Sequence, residues 1–121
     1  MIVVDSCGWI EYLADGPLAE KYAPYFASPD EIVTPSIVVF EVTKKIWREQ
    51  GKEKAVLVAA QMQQTRIVPF DSHLAIAAAH ASLQWGLPMA DAIAYVTGMD
   101  CGCKVVTSDS HFKNLSGVLF I

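Results

Sequence analysis

The chain has 121 residues, of which 53% are hydrophobic, a formal net charge of −4 and three cysteines. That length supports one core and excludes two, no apolar run reaches the roughly 18 residues of a membrane span, and Asp5 interrupts the start too early for a signal peptide. A soluble, cytoplasmic, single-domain protein spanning residues 1–121 is expected, with some of its apolar surface covered by another chain.

The predicted elements alternate between strand and helix. Ile2 to Val4 reads as a buried strand, and Ser6 as the cap of a short helix carrying Trp9, Ile10 and Leu13. Asp15-Gly16-Pro17 is a turn into a second helical piece through Tyr22 and Phe26, interrupted near Pro24. Ile32 to Thr34 is a second strand, and Ser36 is the expected cap of a helix that Gly51 stops. Lys52 to Thr65 forms another helix, and Arg66 to Pro69 a short third strand. Asp71 or Ser72 caps an alanine-rich helix ending at Gly86, Pro88 starts the next, and Cys103 to Thr107 and Val118 to Ile121 are the last two strands. Helices between strands predict an α/β fold with a mainly parallel central sheet of four to five strands flanked by helices.

Four acids stand where apolar runs hand over to turns or helices. Asp5 ends Ile2-Val3-Val4, Glu41 lies about two turns into its helix, Asp91 sits in the first turn after Pro88, and Asp109 follows Val105-Val106-Thr107-Ser108. In an open parallel sheet the ligand crevice lies beyond the carboxyl ends of the strands, where residues distant in sequence converge. Four carboxylates there repel one another unless they retain protons or bind divalent cations, and oxygen donors suit Mg²⁺ and Mn²⁺. Taken singly, Asp5 reads better as a strand-end helix cap and Asp91 as a residue favoured by the helix dipole; taken together with Glu41 and Asp109, the metal site is the better reading. The cysteines are odd in number and follow no secretion signal, so buried thiols are expected; Cys101-Gly-Cys103 lacks the second ligand pair of a zinc site.

Taken in order, Val3-Val4-Asp5-Ser6, Thr34-Pro35-Ser36 with Phe40-Glu41-Val42, Leu87-Pro88-Met89-Ala90-Asp91-Ala92, and Val106-Thr107-Ser108-Asp109 with Phe112 resemble the PIN-domain ribonucleases, in particular the VapC-like toxins of toxin–antitoxin pairs. The resemblance covers essentially the whole chain. It implies that Asp5, Glu41, Asp91 and Asp109 form a catalytic Mg²⁺ or Mn²⁺ site, with Ser6 and Thr107 as polar neighbours, and that RNA is cut to leave a 5′-phosphate and a 3′-hydroxyl. It also implies a homodimer and a cognate antitoxin. Many family members carry a further acid two residues after the position of Asp109, where this chain has His111. An imidazole there is suited to binding Mn²⁺ or to hydrogen-bonding a phosphate.

Net negative charge argues against a nucleic-acid partner, but four of the nine basic residues, Lys44, Lys45, Arg48 and Lys52, fall within nine positions. Their spacing from Glu41 places them on one helix side, either as a path for an RNA backbone or as a solvated face. Seven of the twelve aromatics precede residue 48, and the resemblance implies that an antitoxin segment and a second copy of the chain use this region, the antitoxin over a groove near Trp9, Tyr12 and Trp47. His73 and His80, seven residues apart, read as surface or packing residues. Three other functions compete. A phosphoaspartyl phosphohydrolase needs a second Asp where this chain has Cys7, and a receiver domain needs an acceptor Asp for which only Asp71 is available. A catalytically silent module of the same fold remains compatible with the four acids.

Overall fold

The computed structural model describes residues 1–121 and contains one five-stranded sheet with six α-helices. The strands are β1 (Ile2–Val4), β2 (Ile32–Pro35), β3 (Arg66–Val68), β4 (Lys104–Thr107) and β5 (Val118–Phe120). The helices are α1 (Ser6–Leu13), α2 (Ala19–Tyr22), α3 (Ser36–Gln50), α4 (Lys52–Met62), α5 (Ser72–Trp85) and α6 (Met89–Cys101), with 3₁₀ turns at Ala23–Phe26, Pro29–Glu31 and Ser110–Phe112. All four strand pairings are parallel, in the order β3-β2-β1-β4-β5. No helix is long and apolar enough to cross a membrane.

Strand residues alternate between two cores, as the pleat requires. Val3 pairs with Val33 and Val105, and all three face α5 and α6. Val4 pairs with Val106 and faces the α1 to α4 side, where Trp9, Tyr22, Val38, Val42, Ile46, Val58 and Met62 are buried. Burying each such valine contributes on the order of 1.5–3 kcal/mol before the entropy of ordering it. Helix α6 is buried from Ala92 to Gly98. A Cβ on Gly98 would lie 2.8 Å from a Val105 methyl, so glycine permits this close seating on the sheet.

The chain builds β1, β2 and β3 outward in one direction, then crosses back to lay β4 against the other side of β1. The order reverses between β1 and β4, and the crevice of an open α/β sheet lies at the carboxyl ends of the strands at such a point. Asp5 and Asp109 both follow those two strands.

Several local expectations are corrected. Asp5, not Ser6, precedes α1 and accepts its first amide; Ser6 is already helical. Pro35 precedes α3, and Ser36 instead accepts a hydrogen bond from the Phe70 amide, tying α3 to the segment after β3. Asp71 caps α5 by accepting from the Leu74 amide at 2.9 Å, as one of the two alternatives anticipated. The thiols are not buried: Cys101 is exposed, and Cys7 and Cys103 are half-buried.

Candidate functional site

Asp5 is 2% exposed and held on every side. Its amide donates to the Val106 carbonyl, Oδ1 accepts from the Ser6 amide at 2.8 Å, and Oδ2 accepts from the Thr107 hydroxyl at 3.2 Å. The same Thr107 oxygen accepts from the Asp109 amide at 3.0 Å. Thr107 therefore fixes the end of β4 to the end of β1 and sets the spacing between two of the acids. Asp109 in turn starts the 3₁₀ turn, its Oδ1 accepting from the His111 amide at 2.9 Å.

Asp91 is delivered from the first turn of α6, its side chain 13% exposed. The His111 Nδ1 lies 2.8 Å from Asp109 Oδ1 and 3.2 Å from Asp91 Oδ2, bridging the two carboxylates. Asp91, Asp109 and His111 thus offer three possible metal-binding atoms within 4.8 Å of one another. Glu41, half-buried on α3, faces Ser6 and the carboxylates of Asp5 and Asp109.

Burial dominates the electrostatics of the site, and neighbouring like charge adds to it. Burial, reinforced by Asp5, Asp109 and Glu41 and opposed by His111, pushes Asp91 up to about 7. Burial also raises Glu41, with Asp5 and Asp109 adding to the effect, and raises Asp5 despite the hydrogen bonds it accepts from Ser6 and Thr107. Asp5, Glu41 and Asp91 hold their protons more tightly because the crevice is poorly hydrated and ionising them together concentrates negative charge in it. The donor set, carboxylate oxygens with one imidazole at the rim, fits a hard divalent cation such as Mg²⁺ or Mn²⁺.

The four sequence-predicted acids, with Ser6, Thr107 and His111, lie around this crevice, but only Asp91, Asp109 and His111 bring ligand atoms within 4.8 Å of one another; Asp5 and Glu41 are not part of that group. The basic and aromatic residues are placed differently. Lys44, Lys45 and Arg48 do lie on α3, but Lys52 does not continue their row: Gly51, at φ 91°, breaks the helix and Lys52 starts α4. Lys45 and Arg48 both approach Glu49 at 3.8 Å, which offsets part of their charge. Trp9, expected near a surface groove, is 1% exposed and packs edge-on against Phe26 at 4.8 Å, because an eight-residue helix laid on the sheet must bury its one large indole. Tyr12 stacks on the other partner surface of Phe26 at 4.2 Å and is half-buried. Trp47 is 50% exposed and lines, with Phe40, Lys44, Arg48 and Ala59, an apolar groove of about 600 Å³.

Three residues that the sequence does not assign to the site border the acids. The Cys7 thiol lies 3.3 Å from the Thr107 hydroxyl and 3.7 Å from Asp5 Oδ2, and the Tyr22 hydroxyl donates to Ser108 at 2.7 Å. Ser108 stood between two noted residues and was the one legible hint; Tyr22 is separated from it by 86 positions.

Comparison with solved structures places the same fold in several toxin–antitoxin proteins. A toxin–antitoxin complex from Klebsiella pneumoniae superposes with a TM-score of 0.82 at 16% identity, covering 98% of this chain and 96% of that one. Mycobacterium tuberculosis VapC20, a sarcin–ricin loop cleaving toxin, gives 0.82 at 19% identity, covering 98% and 97%. DNA-bound VapBC from Salmonella typhimurium gives 0.76 at 15% identity, covering 100% and 98%. No curated protein matches the sequence significantly. The family model for the PIN domain matches residues 2–118, and on that match over nearly its whole length the chain belongs to the PIN domain family.

Proposed function

We propose that the chain is a Mg²⁺- or Mn²⁺-dependent endoribonuclease and the toxin of a toxin–antitoxin pair. The observation that carries this reading is the convergence of Asp5, Glu41, Asp91 and Asp109 at the β1/β4 switch point, with three of them raised in proton affinity by burial and mutual repulsion. A bound cation removes that strain, and when bound it supplies charge stabilisation to a phosphate and lowers the proton affinity of water. Asp5, Asp91 and Asp109 would hold it, with Glu41 completing the acidic wall. Thr107 keeps Asp5 and Asp109 in register. Hydrolysis forms a bond from water oxygen to phosphorus and breaks the bond from phosphorus to O3′, leaving a 5′-phosphate and a 3′-hydroxyl. His111, half exposed at the rim, is placed to hydrogen-bond a phosphate oxygen or to serve as an additional ligand.

Lys44, Lys45 and Arg48, running along α3 away from Glu41, supply the cationic track for an RNA backbone, while Lys52 reaches over the Trp47 ring at 6.0 Å from the next helix. The groove between α3 and α4 fits an apolar segment of an antitoxin, with Trp47 and Phe40 as its walls; neither Trp9 nor Tyr12 lines it. Structural likeness to a toxin–antitoxin complex supports a partner of this kind. The homodimer, expected from the resemblance on the aromatic-rich first third, is in our reading better served by the outer face of α5. No Asp, Glu, Lys or Arg occurs between Asp71 and Asp91, and Leu83 there is 89% exposed, so a symmetric contact opposes no like charges. The proposal is tested by Asp5→Asn and Asp91→Asn in the partner-free chain: each should lower RNA cleavage by at least about a hundredfold while leaving the fold intact. Undiminished cleavage by either variant would remove that residue from the site.

A further inference from the structure

The segment that carries Asp109 is anchored at consecutive residues. Thr107 donates to Asp5, and the Asp109 amide donates back to Thr107. Between them, Ser108 accepts from the Tyr22 hydroxyl at 2.7 Å, the shortest hydrogen bond around the acids and one that comes from a different part of the fold. Tyr22 ends α2 and is fully buried, so its ring has no freedom to follow Ser108. Its seat is made by Gly8, where a Cβ would lie 2.5 Å from the ring and 2.8 Å from a Val4 methyl. The only side chain thin enough to let Tyr22 pass beneath α1 is present at that position. Burial raises the pKa of the phenol, which keeps the hydroxyl a donor across the working range of pH. The Cys7 thiol closes the cluster, 3.8 Å from both the Tyr22 and Ser108 oxygens.

We infer that Tyr22 is a positioning residue, whose hydroxyl, through Ser108, fixes the Thr107–Asp109 segment so that Asp109 meets Asp5 and Asp91 at the spacing a divalent cation requires. The inference rests on the function proposed above and adds to it a residue outside all four acidic segments. Tyr22 makes no hydrogen bond to any of the four acids; it acts by restricting where the Asp109 carboxylate can go. Groups that orient a ligand through one intermediary are worth about ten- to a hundredfold in metal affinity or activity.

The test compares Tyr22→Phe, Ser108→Ala and the double variant with Tyr95→Phe. Tyr95 also donates a 2.7 Å hydrogen bond, to the Ser116 carbonyl, but away from the acids, so it controls for the loss of a buried hydroxyl. In the metal-free chain, amide exchange of Asp109 should accelerate about tenfold in Tyr22→Phe and in Ser108→Ala, and not in Tyr95→Phe. Mn²⁺ affinity, read by calorimetry, should fall about tenfold in each of the first two, and kcat for RNA should fall with KM unchanged. The double variant should be no worse than either single one, since both remove the same link. Wild-type exchange at Asp109 in Tyr22→Phe, or losses that merely track melting temperature as they do in Tyr95→Phe, would overturn the inference. If the wild-type chain neither binds Mn²⁺ nor cuts RNA, the proposed function fails, and the exchange rate at Asp109 decides the positioning claim by itself.

Discussion

Replacing Asp91 by Asn should stabilise the metal-free protein at alkaline pH and flatten its pH dependence. Burial and the neighbouring acids lift Asp91 from the ordinary value of 3.8 to about 7 in the fold. A carboxylate whose folded pKa lies above its unfolded one binds more protons in the native state, so native stability is highest below about pH 4 for this group. It is lost as pH rises through about 7. A tenfold change in proton affinity is worth about 1.4 kcal/mol, which puts the penalty of the ionised group near 4 kcal/mol at most. His111, half exposed, loses one of its two carboxylate partners in the variant, so a net gain of roughly 2–4 kcal/mol is expected above pH 8. For a domain of this size that is an increase in melting temperature of roughly 5–15 °C. Thermal denaturation in chelator from pH 5 to 8.5 reads it: wild type should lose stability across the window and Asp91→Asn should lose less, the remaining slope coming from Asp5 and Glu41. Addition of Mn²⁺ should stabilise wild type and do little for the variant. A lower melting temperature in the variant at pH 8, with the wild-type slope retained, would refute the argument that burial of an ionised Asp91 among like charges destabilises this crevice.

Other perturbations separate surface from core. Trp9→Ala should cost about 3–5 kcal/mol in denaturant unfolding, because its indole fills the core beside Phe26, whereas Trp47→Ala should leave stability within about 1 kcal/mol and weaken capture of the protein encoded by the neighbouring reading frame. Lys45→Glu with Arg48→Glu should weaken RNA binding and flatten its dependence on salt, with the circular dichroism spectrum unchanged; unaltered affinity and slope would make these residues a solvated face. Gly8→Ala should destabilise by about 1–3 kcal/mol, measured by urea unfolding, since the added methyl falls 2.5 Å from the Tyr22 ring.

The acids were legible because each closes or opens an element that its neighbours define. Val3-Val4-Asp5 and Val105-Val106-Thr107 mark strand ends by β-branched runs, and Pro88 fixes the start of α6 three residues before Asp91. The helix order and the parallel sheet followed from the same alternation. What the sequence could not state was which face a short element turns inward. Helix α1 has eight residues, too few for its apolar pattern to decide between Trp9 buried and Trp9 exposed, and tertiary packing on the sheet decided it. Lys52 looked continuous with Arg48 on spacing alone, but the helical row ends at Gly51, whose positive φ redirects the chain. The hydrogen bond from Tyr22 to Ser108 joins positions 86 apart, and nothing local in either segment announces it. Cys101 was read as buried from its residue type, yet it closes α6 at the turn through Gly102, where the chain comes to the surface.

The central claim is that these carboxylates hold a divalent cation for RNA hydrolysis. Its most direct measurement is cleavage of total cellular RNA by the purified, partner-free chain with Mg²⁺, with Mn²⁺ and with chelator, followed by sequencing of the cut ends. Cleavage that requires the metal, stops in chelator and leaves 5′-phosphate and 3′-hydroxyl ends is the predicted result. Cleavage that persists in chelator, or products ending in a 2′,3′-cyclic phosphate, would contradict it.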